Sequence, residues 1–149
     1  MSMLLLVIPL GVLFLAIRTY LDNRPIEWVP YSAKALAREL DKDRIVLVNF
    51  RASWAMNAIV NEQHAIETPS VKRYFGAHRI VPMKADWTDG SDEIHDALRS
   101  IGVNSIPAIA VYSPAYPDTP ILLVGLVTEQ QVVDALRMAV LVKSSPPPD

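Results

Sequence analysis

A run of apolar residues leads directly into a tryptophan-bearing turn in the segment Arg44–Ala58, RIVLVNFRASWAMNA. Ile45–Phe50 is uncharged and rich in β-branched residues, which is typical of a buried strand. A tight turn at Trp54 and a helix are predicted next. That helix should stop near Thr68, because Pro69 disfavours helical backbone in the residue before it. The segment therefore predicts a strand–turn–helix unit of an α/β fold.

Capping residues mark the other helices. Ser32 is an N-cap candidate for a helix that extends to about Leu40, and Ser91 begins another helix with acidic residues in its first turn. Thr128 and Gln131 have the spacing of a capping box, which predicts a last helix. All three helices should pack one apolar face on the sheet.

Three further strands are predicted at Ile80–Ala85, Ala108–Tyr112 and Ile121–Val124. Pro82 removes a backbone donor, which places the first of these near a sheet edge or at a strand end. A stiff loop rather than a tight hairpin is predicted between the last two strands, because their link carries Pro114, Pro117 and Pro120. The order helix, strand, helix, strand, helix, strand, strand, helix predicts an α/β sandwich with a mixed central sheet.

The N-terminal run Met3–Ile17 has 15 residues and no polar side chain. This length lies between the core of a signal peptide and a full membrane span. Ala16 is followed by Ile17 and Arg18, which makes a poor cleavage site, so a retained transmembrane anchor is favoured over a cleaved signal. Arg18 and Arg24 follow the run and no basic residue precedes it, which favours a cytoplasmic domain.

The chain accordingly divides into four predicted parts. Residues 1–21 are a membrane anchor or uncleaved signal, 22–30 a linker, 31–142 the folded domain and 143–149 a disordered proline-rich tail. The net charge of −2 and the lack of a basic cluster argue against nucleic-acid binding. No cysteine is present and no metal-ligand spacing is found, so neither disulfides nor a metal or other cofactor is expected.

Five short motifs together carry a resemblance. They are Trp28–Ser32 before the first helix, Trp54–Ala58 at the first strand-to-helix turn, Asn61-Glu62 in the following helix, Asp86-Trp87-Thr88 after the next strand and Ser105-Ile106-Pro107 before the third. This pattern resembles the C-terminal thioredoxin-like domain of DsbD-type membrane thiol–disulfide interchange proteins, over about residues 26–140. The resemblance implies a thioredoxin-like three-layer sandwich with a mixed central sheet, in which Pro107 is the cis-proline.

The chain departs from that family at the catalytic positions. Ala55 and Ala58 stand where the resemblance implies the two cysteines. Asn49 stands at the position of a buried acid, and Ile59 at that of a common lysine. The thiolate is the nucleophile of disulfide exchange, and alanine cannot replace it. The sequence as written therefore predicts a redox-inactive protein with no catalytic residue.

Two explanations of the missing cysteines are open. The chain is either a natural pseudoenzyme or a thiol–disulfide oxidoreductase, a protein-disulfide reductase, whose Cys-x-x-Cys was mutated to Ala-x-x-Ala. Asn49 and Ile59 favour natural loss, because a laboratory knockout usually changes the cysteines alone. Cysteine codons at positions 55 and 58 of the encoding gene would favour the second explanation.

The resemblance implies a groove that holds an extended segment of a partner protein. Its predicted lining is Trp54, Met56, Asn57, Ile106 and Pro107. A structural module without a binding groove is the alternative. The resemblance also implies a membrane-anchored domain on the extracytoplasmic, periplasmic side, in opposition to the arginine pattern.

Overall fold

The computed structural model describes residues 9–145, and a five-stranded sheet forms its centre. In chain order the strands are β1 (Val29–Pro30), β2 (Val46–Arg51), β3 (Val81–Asp86), β4 (Ala108–Ser113) and β5 (Tyr116–Val124). Their spatial order is β1-β3-β2-β4-β5. The first three of these run parallel, whereas β4 is antiparallel to β2, and β5 to β4. The sheet is mixed, as predicted.

Six α-helices flank or precede the sheet in the described part of the chain. They are α1 (Leu10–Asn23), α2 (Ala33–Asp41), α3 (Met56–Asn61), α4 (Pro69–His78), α5 (Asp92–Ser100) and α6 (Glu129–Ser144). A π-helical turn, Glu62–Ile66, continues α3. The predicted caps are confirmed: the side chains of Ser32 and Ser91 accept backbone hydrogen bonds, and Thr128 and Gln131 form the capping box.

Two apolar layers enclose the sheet, which confirms the three-layer sandwich. On one face, Val48, Phe50 and Met83 pack against Ile94 and Leu98 of α5 and against Ala35 of α2. The other face packs against the π-helical turn, α4 and α6, through a cluster that includes Leu47, Ile66, Phe75, Ile109 and Leu136. Because β2 lies between β3 and β4 and is covered on both faces, its residues 46–50 are fully buried.

The connection between β4 and β5 corrects one prediction. Ser113 pairs with Tyr116, so the two strands form a tight hairpin and the predicted stiff loop is wrong. Pro117 and Pro120 lie inside β5, which begins five residues before the predicted start at Ile121. Prolines are tolerated here because β5 is an edge strand, where a missing N–H on the open side breaks no ladder.

Two further elements differ from expectation in extent. The predicted extra turn at Val71–Phe75 is a helix of 10 residues, α4, whose N-cap is Thr68. Within residues 22–30, predicted as a linker, Val29–Pro30 join the sheet as β1 beside β3.

The position of Pro82 agrees with the prediction. Pro82 is the second residue of β3, and so lies at a strand end.

The N-terminal segment stands apart from the core. Residues 1–8 of the predicted anchor and 146–149 of the predicted tail lie outside the described residues. Lys143 and Ser144 were predicted in the disordered tail, but they form the end of α6. None of the 14 residues of α1, Leu10–Asn23, is buried, and Leu10 and Phe14 are among its exposed apolar side chains. Within residues 9–145, no helix has both the length and the hydropathy needed to cross a bilayer. The predicted membrane helix is therefore not confirmed.

Removal of Met1–Tyr20 should leave a folded domain. Because no side chain of Leu10–Asn23 is buried, the deletion takes nothing from the two apolar layers, and the free energy of unfolding should fall by less than about 1 kcal/mol. Urea unfolding followed by circular dichroism measures this change. A truncated chain that is unfolded, or destabilised by several times that amount, would show that α1 belongs to the core.

Candidate functional site

Three loops meet at one end of the sheet. Arg51 at the end of β2 pairs with Asp86 at the end of the parallel strand β3. Phe50 pairs with Ala108, the first residue of the antiparallel strand β4. The Trp54 turn, the turn after Asp86 and the segment that precedes Ala108 therefore lie at the same edge of the sheet.

Hydrogen bonds fix two of these loops to each other. The Trp87 backbone N–H donates to the Arg51 carbonyl at 2.7 Å, and the Ser53 N–H donates to Thr88 Oγ1 at 2.9 Å. Asp86 in turn accepts from the Thr88 backbone at 3.0 Å, from the Thr88 hydroxyl and from Arg51 at 2.9 Å. The turn that carries Trp54 is thus held by the end of β3.

Asp86 is stabilised as a carboxylate by these contacts. Partial burial would raise its pKa, but the hydrogen bonds from Thr88 and the nearby Arg51 guanidinium outweigh this effect and lower the pKa of Asp86. The pair of turns is therefore held by a charged acceptor at neutral pH.

Two large apolar side chains are exposed at this end of the sheet, which we call the rim of the site. Trp54 is 62% exposed and Met56 is 71% exposed. The Trp54 ring lies 6.5 Å from Trp87, measured between centroids, and Trp87 stacks on His95 at 5.9 Å. Asn57 is also exposed. Trp87 is partly buried and packs against the core, so it supports Trp54 from below.

The two alanines occupy different environments. Ala55 is half-buried and is the N-cap of α3, where it offers no side-chain acceptor. Ala58, one turn further, is fully buried. Ile59 is half-buried on the same helix. Neither alanine carries a group that can act as a nucleophile or take up a proton.

The segment before β4 lies at the same edge of the sheet as the Trp54 turn. The peptide bond between Ile106 and Pro107 is cis, in agreement with the resemblance. Pro107 is buried and Ile106 is half-buried. The Pro107 carbonyl accepts from Gly125 N–H at 2.9 Å, which ties this segment to the loop after β5. Gly125 has φ of 83°, a left-handed conformation that glycine adopts without steric cost.

Asn61 clamps α3 to that loop. Its Nδ2 donates to the Gly125 carbonyl at 2.8 Å, and its Oδ1 accepts from Val127 N–H at 3.0 Å. The side chain is buried, so both amide groups are satisfied within the protein. Asn61 therefore fixes the distance between the helix that begins beside Trp54 and the loop that supports Pro107.

A charged network lies beneath α3. Glu62, in the π-helical turn, contacts Lys84 Nζ at 2.6 Å and Arg51 Nε at 3.3 Å. Arg51 Nε lacks hydrogen-bond alignment, so this second contact is an ion pair by distance only. All three side chains are largely screened from solvent. Two cations around one carboxylate leave it fully compensated.

Asn49 on β2 extends this network. Its side chain is fully buried on β2 and its Nδ2 donates to Glu62 Oε2 at 3.4 Å. Its Oδ1 has no hydrogen-bond partner within residues 9–145. Lys84 is its register partner on β3. The neutral amide can donate to the Glu62 carboxylate, whereas a carboxylate at this position would face it with like charge.

The structure brings together the residues predicted for the site and adds four that the predictions missed. Trp54 lies in the turn before α3, and Met56 and Asn57 are the first two residues of α3. Ile106 and Pro107 precede β4 at the same edge of the sheet, whereas Asn49 lies within β2. The added residues are Arg51, Asn61, Glu62 and Lys84. Lys84 had a usable signal, because it is a charged residue inside the predicted strand Ile80–Ala85 and a Lys withdrawn from water requires a partner.

Among residues 9–145, no three His, Asp or Glu side chains converge as a metal site. At this edge of the sheet the site offers the exposed side chains of Trp54 and Met56, the half-buried Ile106 and the backbone near Pro107.

Comparisons with known proteins agree with this architecture. The thioredoxin-like family model matches residues 27–114, more than half of the chain. Comparison with curated proteins gives no match.

Three solved structures illustrate the similarity of fold. The reduced C-terminal domain of DsbD from Neisseria meningitidis is 18% identical with a TM-score of 0.58, over 74% of this chain and 99% of that one. A thioredoxin from Thermus thermophilus is 19% identical with a TM-score of 0.64, over 80% and 92%. A DsbH oxidoreductase is 14% identical with a TM-score of 0.61, over 80% and 88%.

The family match covers the Trp54 turn, both alanines and the Ile106-Pro107 bond. The cysteine-free chain carries Ala55 and Ala58 at the ends of the motif that follows Trp54. By its sequence match and its fold, this chain belongs to the thioredoxin-like family.

Proposed function

We propose that this chain is a redox-inactive thioredoxin-like binding module whose groove holds an extended segment of a partner protein. The observation that carries the proposal is the exposure of Trp54 and Met56 at the sheet edge that also carries Ile106 and Pro107. Trp54 lies on the partly buried Trp87. A large aromatic and an adaptable methionine at the rim of a fixed groove are the side chains that protein interfaces favour.

The rigidity of the groove supports binding as its role. The Trp54 turn is held by Asp86 and Thr88, and the Pro107 wall is held through Gly125 by Asn61. A groove whose walls are already fixed loses little conformational entropy when a partner enters. This arrangement has been retained in a chain that lacks every thiol.

Catalysis of disulfide exchange is excluded for the chain as written. The reaction needs one thiolate to attack a disulfide and a second to resolve the mixed disulfide, and positions 55 and 58 carry methyl groups. The alternative, an oxidoreductase whose cysteines were replaced, is favoured by one observation. Ala55 is half-buried and Ala58 fully buried, which suits an accessible attacking thiol and a buried resolving thiol.

A membrane tether on the extracytoplasmic side is the proposed location. The apolar run Met3–Ile17 supports a tether, and so do the exposed apolar side chains of α1, such as Leu13 and Phe14. The side of the membrane is proposed from the family resemblance alone, against the arginines that follow the run. The domain is proposed to face the periplasm.

Asn49→Asp should destabilise the domain at neutral pH. The new carboxylate would face Glu62 at about the present contact distance, and the free energy of unfolding should fall by about 1–3 kcal/mol. Like charge raises the folded-state pKa of the introduced carboxyl above its unfolded value of about 3.9. The deficit should therefore be present at neutral pH and shrink as pH falls through that raised pKa.

A double-mutant cycle with Glu62→Gln controls this test. Asn49→Asp should cost less in the Glu62→Gln background than alone, because Arg51 and Lys84 then become available to the new carboxylate. Urea unfolding of the four proteins at several pH values measures the coupling. Equal stability of parent and Asn49→Asp at pH 7, with no coupling, would contradict the assigned role of Asn49.

Capture of a partner at the groove is tested with a photo-crosslinking amino acid in place of Met56. The full chain is irradiated in a membrane extract, and crosslinked proteins are identified by mass spectrometry. In the chain that carries the crosslinker at position 56, Trp54→Ala should weaken binding of the captured partner by about 2 kcal/mol, a roughly 30-fold loss of affinity. A matched control is Leu141→Ala on α6, because Leu141 is equally exposed at 61%. The control should retain full capture.

The pattern of adducts decides between binding and packing. A discrete set of adducts that is lost with Trp54→Ala and retained with Leu141→Ala supports the groove. If both variants keep every adduct of the parent, Trp54 has only a structural role and the binding function is wrong.

A further inference from the structure

The segment Asp22–Pro30 is fixed to the domain at several points. At its start, the Asp22 carboxylate pairs with Arg73 Nη1 at 2.9 Å, and the Asp22 carbonyl accepts from Lys72 Nζ at 3.3 Å. Both cations lie on α4. At its end, β1 pairs with β3. The segment is called the strap from here on.

Glu67 holds the middle of the strap. One carboxylate oxygen accepts from the Ile26 backbone N–H at 3.2 Å, and the other accepts from the Trp28 indole N–H at 3.3 Å. Lys72 compensates the charge at 3.5 Å. Ile26 and Trp28 also pack against the apolar layer beneath α4 and α6. Glu67 therefore makes a specific contact with both the backbone and a side chain of the strap.

A cavity of about 630 Å³, distinct from the groove at Trp54, separates the two anchoring regions. The cavity lies between the strap on one side and α4 with the start of β3 on the other, and Phe75, Ile80 and Pro82 contribute to its lining. Apolar packing beneath the strap is thus incomplete near α1. The polar contacts of Asp22 with α4 are what hold the strap at that end.

The same contacts continue to the candidate site. The Lys84 ammonium lies 4.8 Å from the centre of the Trp28 ring and 2.6 Å from Glu62. Glu62 accepts from Asn49, which is buried on β2. A continuous set of contacts therefore runs from Asp22 in the last turn of α1, through Lys72, Glu67, Trp28, Lys84 and Glu62, to Asn49 on β2.

We propose that the strap is a rigid connector, anchored by Asp22 and Glu67, that holds α1 in one orientation relative to the thioredoxin-like domain. The inference extends the tether of the proposed function and is independent of partner capture at the groove. The ends of a flexible linker of nine residues would have a root-mean-square separation of roughly 15–18 Å, with a wide spread about it. The anchored strap instead gives the groove a fixed orientation relative to the segment proposed to enter the membrane.

Because the chain has no cysteine, spin labels at two introduced cysteines can test whether α1 keeps one orientation relative to the domain. Ala16 on α1 and Ala37 on α2 are both exposed, so Ala16→Cys and Ala37→Cys introduce two unique label sites with small changes in size. Pulsed electron–electron resonance on the full chain, in lipid nanodiscs, measures the distribution of distances between the two nitroxides. A single narrow distribution is expected.

Removal of the anchors should broaden that distribution. The pair of substitutions Asp22→Ala and Glu67→Ala should increase its width at least about twofold, toward that of a flexible linker. The matched control is Glu27→Ala, because Glu27 lies on the strap and its one ion pair within residues 9–145 is with Arg24 of the same segment. The control should remain as narrow as the labelled parent. Circular dichroism verifies that each variant is folded.

Two results would overturn the proposal. One is a broad distribution in the labelled parent, which needs no anchor variant and so does not depend on whether that variant folds. The other is a distribution in the folded anchor variant that stays as narrow as that of the parent. Membrane attachment is scored separately by vesicle flotation, so failure of the tether is distinguishable from failure of the strap.

Discussion

The carboxylate of Glu62 is the interaction on which the site depends most. It lies between Lys84 of β3 and Arg51 of β2 and accepts a hydrogen bond from Asn49, so it joins both strands to the helical segment that begins beside Trp54. The Glu62 side chain is only 21% exposed, and a charge so far withdrawn from water needs ion-pair and hydrogen-bond partners, so the loss of one partner should destabilise the domain. Glu62 lies in a π-helical turn, a rare element that is frequently found at functional sites.

The protein separates the thioredoxin-like scaffold from its usual chemistry. The fold, the tryptophan turn and the Ile106-Pro107 bond are all present, whereas the residues that would exchange disulfides are methyl groups. The proposed binding does not require thiols, because the Trp54 turn is held by Asp86 and the Pro107 segment is held through Gly125 by Asn61. Asn49 is consistent with the lack of cysteines. An acid at this position would place a buried negative charge against Glu62, whereas the neutral amide donates to Glu62, and the chain has no thiol with which an acid could exchange a proton.

Local sequence signals predicted most of the fold. Apolar runs gave the strands β2 to β4, and Ser32, Ser91 and Thr128 gave the helix starts, because buried strands and helix caps have strong local signatures. The β4–β5 hairpin was missed because prolines suggest a loop unless the strand is known to lie at a sheet edge. The sequence did not predict the contact between Lys84 and Glu62 or the contacts of Glu67 with the strap. These contacts join residues that are 22 to 41 positions apart in the chain. Such pairings follow from sheet order and register, which the sequence pattern does not specify.

The central claim is that a partner occupies the groove at Trp54, and the three tryptophans of the chain provide its most direct test. Trp54 and Trp87 are at the site, whereas Trp28 is held in the strap by Glu67. The segment of a captured partner that carries the crosslink is synthesised and added to the ¹⁵N-labelled protein, and the three indole N–H resonances are followed. The account predicts that the Trp54 and Trp87 resonances shift on binding while that of Trp28 stays in place. A segment that binds and shifts only Trp28, or none of the three, would contradict it.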